Sequence, residues 1–197
     1  MLEALTLALV THFDRHPLHA AAIAHGRRAV LLAGPSGAGK STLAWLAQEA
    51  ELEVLGDDHV WIQLEPTPRM WAWPGRVRLL PDARLARHDV GVLEERDGKH
   101  KLALSLGGRP GPTRHDMTDV AVCVLQRGVG EATLECVSAP ELADTLHRQV
   151  APGFDRFPER HARVVRVLTR RGGWRLSLSP DPLQALPLLR EMLAGER

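Results

Sequence analysis

The chain has 197 residues, of which 44% are hydrophobic and 25% are charged, and its formal net charge is +1. This length supports one substantial core and leaves little room for a second domain, and the composition excludes a disordered protein. The net charge excludes a global basic field that would attract nucleic acid, so affinity for phosphate groups must come from a local site. Cys123 and Cys136 have neither zinc nor disulfide spacing, which favours a reducing cytoplasm.

The N-terminal third of the chain is predicted to consist mainly of strands. Apolar runs predict strands at residues 4–10, 19–25, 28–33 and 52–55, with a helix at 41–50 between the last two. The first run has no basic flank and is too short to cross a membrane, so we expect no membrane segment there.

The remainder alternates strands and helices around one irregular region. A hairpin is predicted from strands 60–64 and 70–73, and the charged, glycine-rich and proline-rich residues 81–118 predict a long, partly mobile surface region. Further strands are predicted at 120–125, 132–137 and 174–178, with helices at 138–149, at 154–169, and from a cap at Asp181 onward.

A glycine-rich loop between the third strand and the first helix carries the clearest chemical signal. It has the pattern G-x-x-x-x-G-K-[ST] and consists of Gly34, Pro35, Ser36, Gly37, Ala38, Gly39, Lys40 and Ser41. A strand that turns through glycines into a helix directs backbone N–H groups and the positive helix end at one point, where phosphate oxygens bind. Lys40 is expected to reach the β- and γ-phosphates of ATP, and Ser41 to offer its hydroxyl to Mg²⁺.

Two adjacent acids follow the strand at 52–55. In open α/β sheets ligands bind beyond the carboxyl ends of strands, so Asp57 and Asp58 are expected near the phosphate loop. Phosphoryl transfer needs a carboxylate to receive the acceptor proton and ligands for Mg²⁺, and the pair is able to divide these roles. The alternative interpretation is an ordinary solvated turn.

Three elements together resemble the catalytic domain of the HPr kinase/phosphorylase family, whose members phosphorylate a protein serine. They are His19, the loop Gly34 to Ser41, and the pair Asp57-Asp58, each at the family's spacing. The resemblance covers about residues 19 to 58. Beyond it, the chain is similar to small HPr-kinase-related proteins, some of which modify a precursor peptide in lasso-peptide biosynthesis.

The resemblance implies a single kinase domain over 1–197, an α/β fold of the phosphoenolpyruvate-carboxykinase-like P-loop type with a mixed sheet and flanking helices. It implies Asp57 as the general base toward a peptide or protein serine, supported by an adjacent His19. It also implies that Ser41 and Asp58 organise Mg²⁺. The loop, Thr42 and Arg78 are implied to bind ATP, and a homo-oligomer is possible.

The chain departs from the family in several places. Pro35 and Thr42 stand where the family usually has acids, and Arg76 stands where it has a glutamate. These departures argue against the reverse phosphorolysis reaction and against HPr as the substrate.

Two other classes remain open. One is a small-molecule kinase of the gluconate or adenylylsulfate type, although such enzymes begin with the phosphate-loop strand. The other is a protein that binds nucleotide without catalysis.

The charged region 81–118 contains two further candidates for phosphate contacts. If this region folds over the site, Lys99 or Lys101 is placed to contact phosphate.

Overall fold

The computed structural model describes residues 12–73, 75–80, 91–96, 98–106, 113–148, 150 and 157–195. The strands in these ranges are β1 (Arg15–Leu18), β2 (Ala20–His25), β3 (Arg28–Ala33), β4 (Glu53–Gly56), β5 (Val60–Gln63), β6 (Arg69–Ala72), β7 (Arg76–Leu79), β8 (Val92–Arg96), β9 (Lys99–Ser105), β10 (Thr113–Asp116), β11 (Asp119–Arg127), β12 (Thr133–Val137) and β13 (Gly173–Leu178). The helices are α1 (Lys40–Glu49), α2 (Ala139–Arg148), α3 (Pro158–Thr169) and α4 (Ala185–Ala194), with a short 3₁₀ helix (Pro182–Gln184) before α4.

A six-stranded mixed sheet forms the centre, in the order β12-β13-β11-β3-β2-β4. The central strands β3, β11 and β13 are parallel, whereas β2 runs antiparallel to both β3 and β4. Strands β3 and β4 therefore point the same way, and both end at one edge of the sheet. The turn after β4 is thus at the same edge as the phosphate loop after β3.

Two smaller antiparallel sheets accompany the central one. One has the order β1-β5-β6-β10, and the other has the order β7-β9-β8. The chain crosses from the first small sheet to the central sheet between β1 and β2, and it crosses back between β4 and β5.

Both faces of the central sheet are buried, and the alternation of side chains along β3 shows this directly. Val30 and Leu32 belong to one core, with Leu43 of α1 and Leu189 of α4. Leu31 belongs to the other core, together with apolar residues of α2, α3 and the sheet that contains β5 and β6. A strand buried on both faces is expected to be continuously apolar, as Ala29 to Ala33 is.

Most predicted elements are confirmed within about two residues at each end. The cap before the last helix is also confirmed, since Asp181 Oδ1 accepts a hydrogen bond of 3.1 Å from the backbone N–H of Leu183. The predicted strand at 4–10 lies outside the described residues. The mixed α/β class is confirmed, and no helix in the described ranges has the length and apolar character needed to cross a membrane.

The prediction for residues 81–118 is wrong where the structure describes them. Strands β8, β9 and β10 lie there, and β9 pairs with both β7 and β8. The apolar part of β9 is only Leu102 to Leu104, and the charged and polar residues on either side of it leave no sustained period in the sequence. Residues 81–90 and 107–112 lie outside the described part of the chain.

Candidate active site

The loop between β3 and α1 has a backbone that requires glycine. Gly39 precedes the helix with a φ of 109°, and Gly34 has a φ of 155°. A Cβ on Gly34 would lie 3.0 Å from Cβ of Ala38 and 3.1 Å from the backbone oxygen of Leu125. The loop therefore turns tightly against the end of β11, and glycine is needed for conformation and for space.

The first turn of α1 is open to an anion. It begins at Lys40 and contains no acidic side chain, and Gly39 has no side chain to cap it. The first N–H groups of a helix lack partners within the helix, and the positive end of the helix dipole adds to their attraction for anions. This end of α1 faces a cavity and provides the donors that a phosphate group needs.

Lys40 is folded onto its own loop. Its side chain is buried, and Nζ donates hydrogen bonds to the backbone oxygens of Gly34 at 2.7 Å and Pro35 at 3.2 Å. Burial lowers the pKa of Lys40, with a smaller contribution from the positive charge of Lys101, whereas the charges of Asp58 and Asp57 raise it. An incoming phosphate would replace two neutral acceptors with charged ones, which form the stronger hydrogen bonds.

Asp57 contacts Ser41, the last residue of the phosphate loop. The Ser41 hydroxyl donates to Asp57 Oδ1 at 3.0 Å, and the backbone N–H of Arg78 donates to Oδ2 at 3.4 Å. Burial, with a smaller contribution from the negative charge of Asp58, raises the pKa of Asp57 to about 6, against the opposing effect of the hydrogen bond from Ser41.

Asp58 contacts the histidine. His19 Nε2 lies 3.0 Å from Asp58 Oδ1, and both residues line the cavity. The sequence led us to expect His19 beside Asp57, whereas the carboxylate within hydrogen-bonding distance of its Nε2 is that of Asp58. Asp58 has a φ of 75°, a left-handed conformation in which aspartate is found more often than most residues.

Strand register explains this pairing. Leu18 pairs with Val60 in the β1–β5 ladder, and Ala22 pairs with Gly56 in the β2–β4 ladder. His19 and Asp58 thus lie in the two segments that cross between the same two sheets at the same place. This junction, at which the β1–β2 and β4–β5 connections run between the two sheets, brings His19 and Asp58 together.

A cavity of about 580 Å³ lies in front of the loop. Its walls come from the loop and α1 (36–43), from His19 and Asp58, from Arg78 and Lys101 of the three-stranded sheet with the adjacent Leu80, and from Arg127, residues 178–180 and Pro182. Of the predicted site residues, Gly34, Pro35 and Asp57 do not line this cavity. These three residues contact residues that do line it. Gly34 and Pro35 accept hydrogen bonds from Lys40, and Asp57 accepts a hydrogen bond from Ser41.

Arg127 is a cavity residue that the sequence analysis missed. It is the last residue of β11, the parallel neighbour of β3, and its Nε donates to the backbone oxygen of Gly37 at 2.8 Å. The available signal was its position at the carboxyl end of a predicted strand, where α/β sheets bind ligands.

The oxygen atoms near Ser41 suit magnesium. Mg²⁺ binds through one or two carboxylates together with substrate phosphates and water, and it prefers oxygen ligands. Ser41, Asp57 and Asp58 supply a hydroxyl and two carboxylates at the loop, which fits this preference. Within the ranges that the structure describes there is no cluster of three or more histidine, cysteine, aspartate or glutamate residues of the kind that holds a metal by protein ligands alone.

Comparison with known proteins gives one distant structural match that we describe. The structure of the Hpr(Ser) kinase/phosphatase from Coxiella burnetii matches with 13% sequence identity and a TM-score of 0.42, over 92% of this chain and 89% of that chain. No family model and no curated protein matches the sequence. The function is therefore argued from the geometry of the site.

Proposed function

We propose that this chain is an ATP-dependent kinase that transfers the γ-phosphoryl group to a serine hydroxyl of a peptide or protein. The proposal extends to one P-loop kinase domain over 1–197 with a phosphoenolpyruvate-carboxykinase-like core, active in the cytoplasm with Mg²⁺. The observation that carries it is the junction that places Asp58 and His19 in the same cavity as the phosphate loop. A protein that only binds nucleotide does not need a carboxylate and histidine pair at that position.

The nucleotide would lie along the loop. Backbone N–H groups of 36–40 and the start of α1 would hold the β-phosphate, with Lys40 reaching toward the γ-phosphate. Thr42, Arg78 and Arg127 line the same cavity and would add donors around the phosphates. When bound, Mg²⁺ supplies positive charge that offsets the negative charge developing on the phosphates during transfer.

The contacts of the two carboxylates favour the opposite division of roles from the one expected from the sequence. Asp57 bonds to the Ser41 hydroxyl, which is the contact expected of the acid that organises Mg²⁺ in P-loop proteins. Asp58 lines the cavity, where an acceptor hydroxyl has access to it. We therefore assign metal binding to Asp57 with Ser41, and proton acceptance to Asp58.

In the proposed transfer, one bond to the γ-phosphorus forms as another breaks, and a residue of the site accepts the released proton. The acceptor serine oxygen forms a bond to the γ-phosphorus, and the bond from that phosphorus to the β–γ bridging oxygen breaks, releasing ADP. The serine proton passes to the carboxylate of Asp58. His19 would hold that carboxylate in place through its contact at 3.0 Å, and positioning of this kind is a large part of catalysis in phosphoryl transfer.

An acceptor screen tests the proposal. The protein is incubated with Mg·ATP and separate pools of peptides, proteins and metabolites, and mass spectrometry detects the gain of one phosphoryl group. We expect the gain on serine in the peptide or protein pools. A gain confined to metabolites would instead establish a small-molecule kinase, and ATP binding without transfer to any pool would establish a nucleotide-binding protein.

A further inference from the structure

Lys101 is a cation at the wall of the cavity. Arg78 Nε pairs with Glu94 at 3.2 Å, and Arg127 donates to the backbone oxygen of Gly37. Lys101 lines the same cavity, and among the residues that the structure describes it has neither an ion pair nor a hydrogen-bond acceptor for its ammonium group. An ammonium group at the cavity wall with no acceptor among the described residues is available to an anionic ligand.

The sheet register fixes the direction of this side chain. Lys101 lies in β9, opposite Glu94 of β8, and two residues before Ala103, which pairs with Arg78 of β7. Leu102 and Leu104 on the alternate positions are buried in the core beside α1. Because side chains alternate along a strand, burial of these leucines directs Lys101 to the face that borders the cavity.

Lys101 and Lys40 line the same cavity. The positive charge of Lys101 contributes to the lowered pKa of Lys40, although burial is the larger cause. Two ammonium groups that share one cavity repel each other, and an anion between them turns the repulsion into two attractions. The γ-phosphoryl group is the part of a triphosphate that fits between them, because the loop amides enclose the β-phosphate while the lysine of such a loop reaches the γ-phosphate.

We propose that Lys101 is a further phosphate-binding residue, which contacts the γ-phosphoryl group and thereby makes the site prefer ATP over ADP. This inference rests on the proposed function, because it assumes that the triphosphate lies along the loop. It assigns a binding role to the three-stranded sheet, which supplies part of the cavity wall through Arg78 and Lys101.

Titration calorimetry with Mg·ATP and with Mg·ADP tests the proposal. In Lys101→Met we expect the affinity for ATP to fall by about 10-fold to 100-fold, the range for loss of a hydrogen bond to a charged group, while the affinity for ADP changes by less than about threefold. Lys101→Arg keeps the charge and should retain most of the affinity for ATP. Arg166→Met is the matched control, since Arg166 is an exposed cation of α3 that does not line the cavity, and it should leave both affinities unchanged.

The outcomes separate this inference from the proposed function. If wild-type protein binds ATP and Lys101→Met binds it equally well, or loses ATP and ADP affinity by the same factor, the γ-phosphoryl contact is overturned and the kinase proposal stands. If wild-type protein binds neither nucleotide, both are overturned. Thermal melts identify a variant that does not fold, and Lys101→Gln then replaces Lys101→Met with the same expectation.

Discussion

The imidazole of His19 lies 3.0 Å from the carboxylate of Asp58, at a junction where the chain passes between two sheets. His19 occupies the crossing from β1 to β2, and Asp58 occupies the crossing from β4 to β5. The two crossings are held side by side because β1 pairs with β5 and β2 pairs with β4. Backbone ladders on both sides thus position this pair, which makes it more rigid than a contact between two free loops.

The first prediction separates the roles of the two carboxylates. Asp58→Asn should lower phosphoryl transfer by about 10² to 10⁴, the range for loss of general-base catalysis, because an amide accepts a proton poorly. The affinity for ATP should change by less than about threefold, a difference of well under 1.4 kcal/mol. Asp57→Asn should instead weaken binding of Mg·ATP more than binding of ATP without metal. The measurements are steady-state transfer rates and calorimetric titrations with and without Mg²⁺, and the reverse pattern would make Asp57 the base.

The second prediction concerns His19 as a positioning residue. His19→Ala should reduce kcat by about 10-fold to 100-fold, since it removes a hydrogen bond to a charged group, while KM for ATP stays nearly unchanged. His19→Gln keeps an N–H donor and should recover part of the loss. His25→Ala is the control, because His25 is exposed at the other end of β2. Unchanged kcat with a lowered melting temperature would show that His19 has a structural role only.

The third prediction concerns Lys40 and the nucleotide. Lys40→Ala should weaken ATP binding by about 2 kcal/mol or more, roughly 30-fold, because it removes a charge-assisted contact to the phosphates. Calorimetric titration of wild-type protein, Lys40→Ala and the exposed control Arg114→Ala measures this. Equal ATP affinity in all three proteins would place the nucleotide elsewhere.

The fourth prediction concerns stability against acid. His161 is buried in α3, and within the described part of the chain its Nε2 has no hydrogen-bond partner. Burial, followed by the charges of His147 and His16, lowers the pKa of His161 below its ordinary 6.5. The unfolded chain therefore binds a proton that the folded protein does not, so stability that is present above about pH 6.5 is lost as the pH falls, by up to about 1.4 kcal/mol per pH unit.

Urea unfolding at about pH 7.5 and about pH 5.5, on either side of the ordinary histidine pKa, checks this prediction. His161→Leu should lose less stability between the two values than wild-type protein. Some pH dependence should remain, because burial also lowers the pKa of His16. The exposed control His25→Gln should behave as wild type, and equal losses in wild type and His161→Leu would contradict the assignment.

The sequence by itself determined the local elements of the site. A short apolar run followed by a glycine-rich loop and a helical period predicts strand, loop and helix, and β3, the loop and α1 follow that prediction. The position of the two acids directly after the strand at 52–55 predicts that they lie near the loop, and the Ser41 to Asp57 hydrogen bond shows this proximity for Asp57. Local signals sufficed here because backbone conformation and hydrophobic period are properties of neighbouring residues.

Tertiary structure alone decided which side chains share the cavity. The pairing of His19 with Asp58 depends on the registers of two ladders between distant segments, and a shift of one residue in either would present another side chain. Lys101 and Arg127 reach the cavity through sheets whose strand order the sequence did not reveal. The physical reason is that register is set by long-range packing of apolar faces, whereas the charged residues that these faces position carry no local signal of their destination.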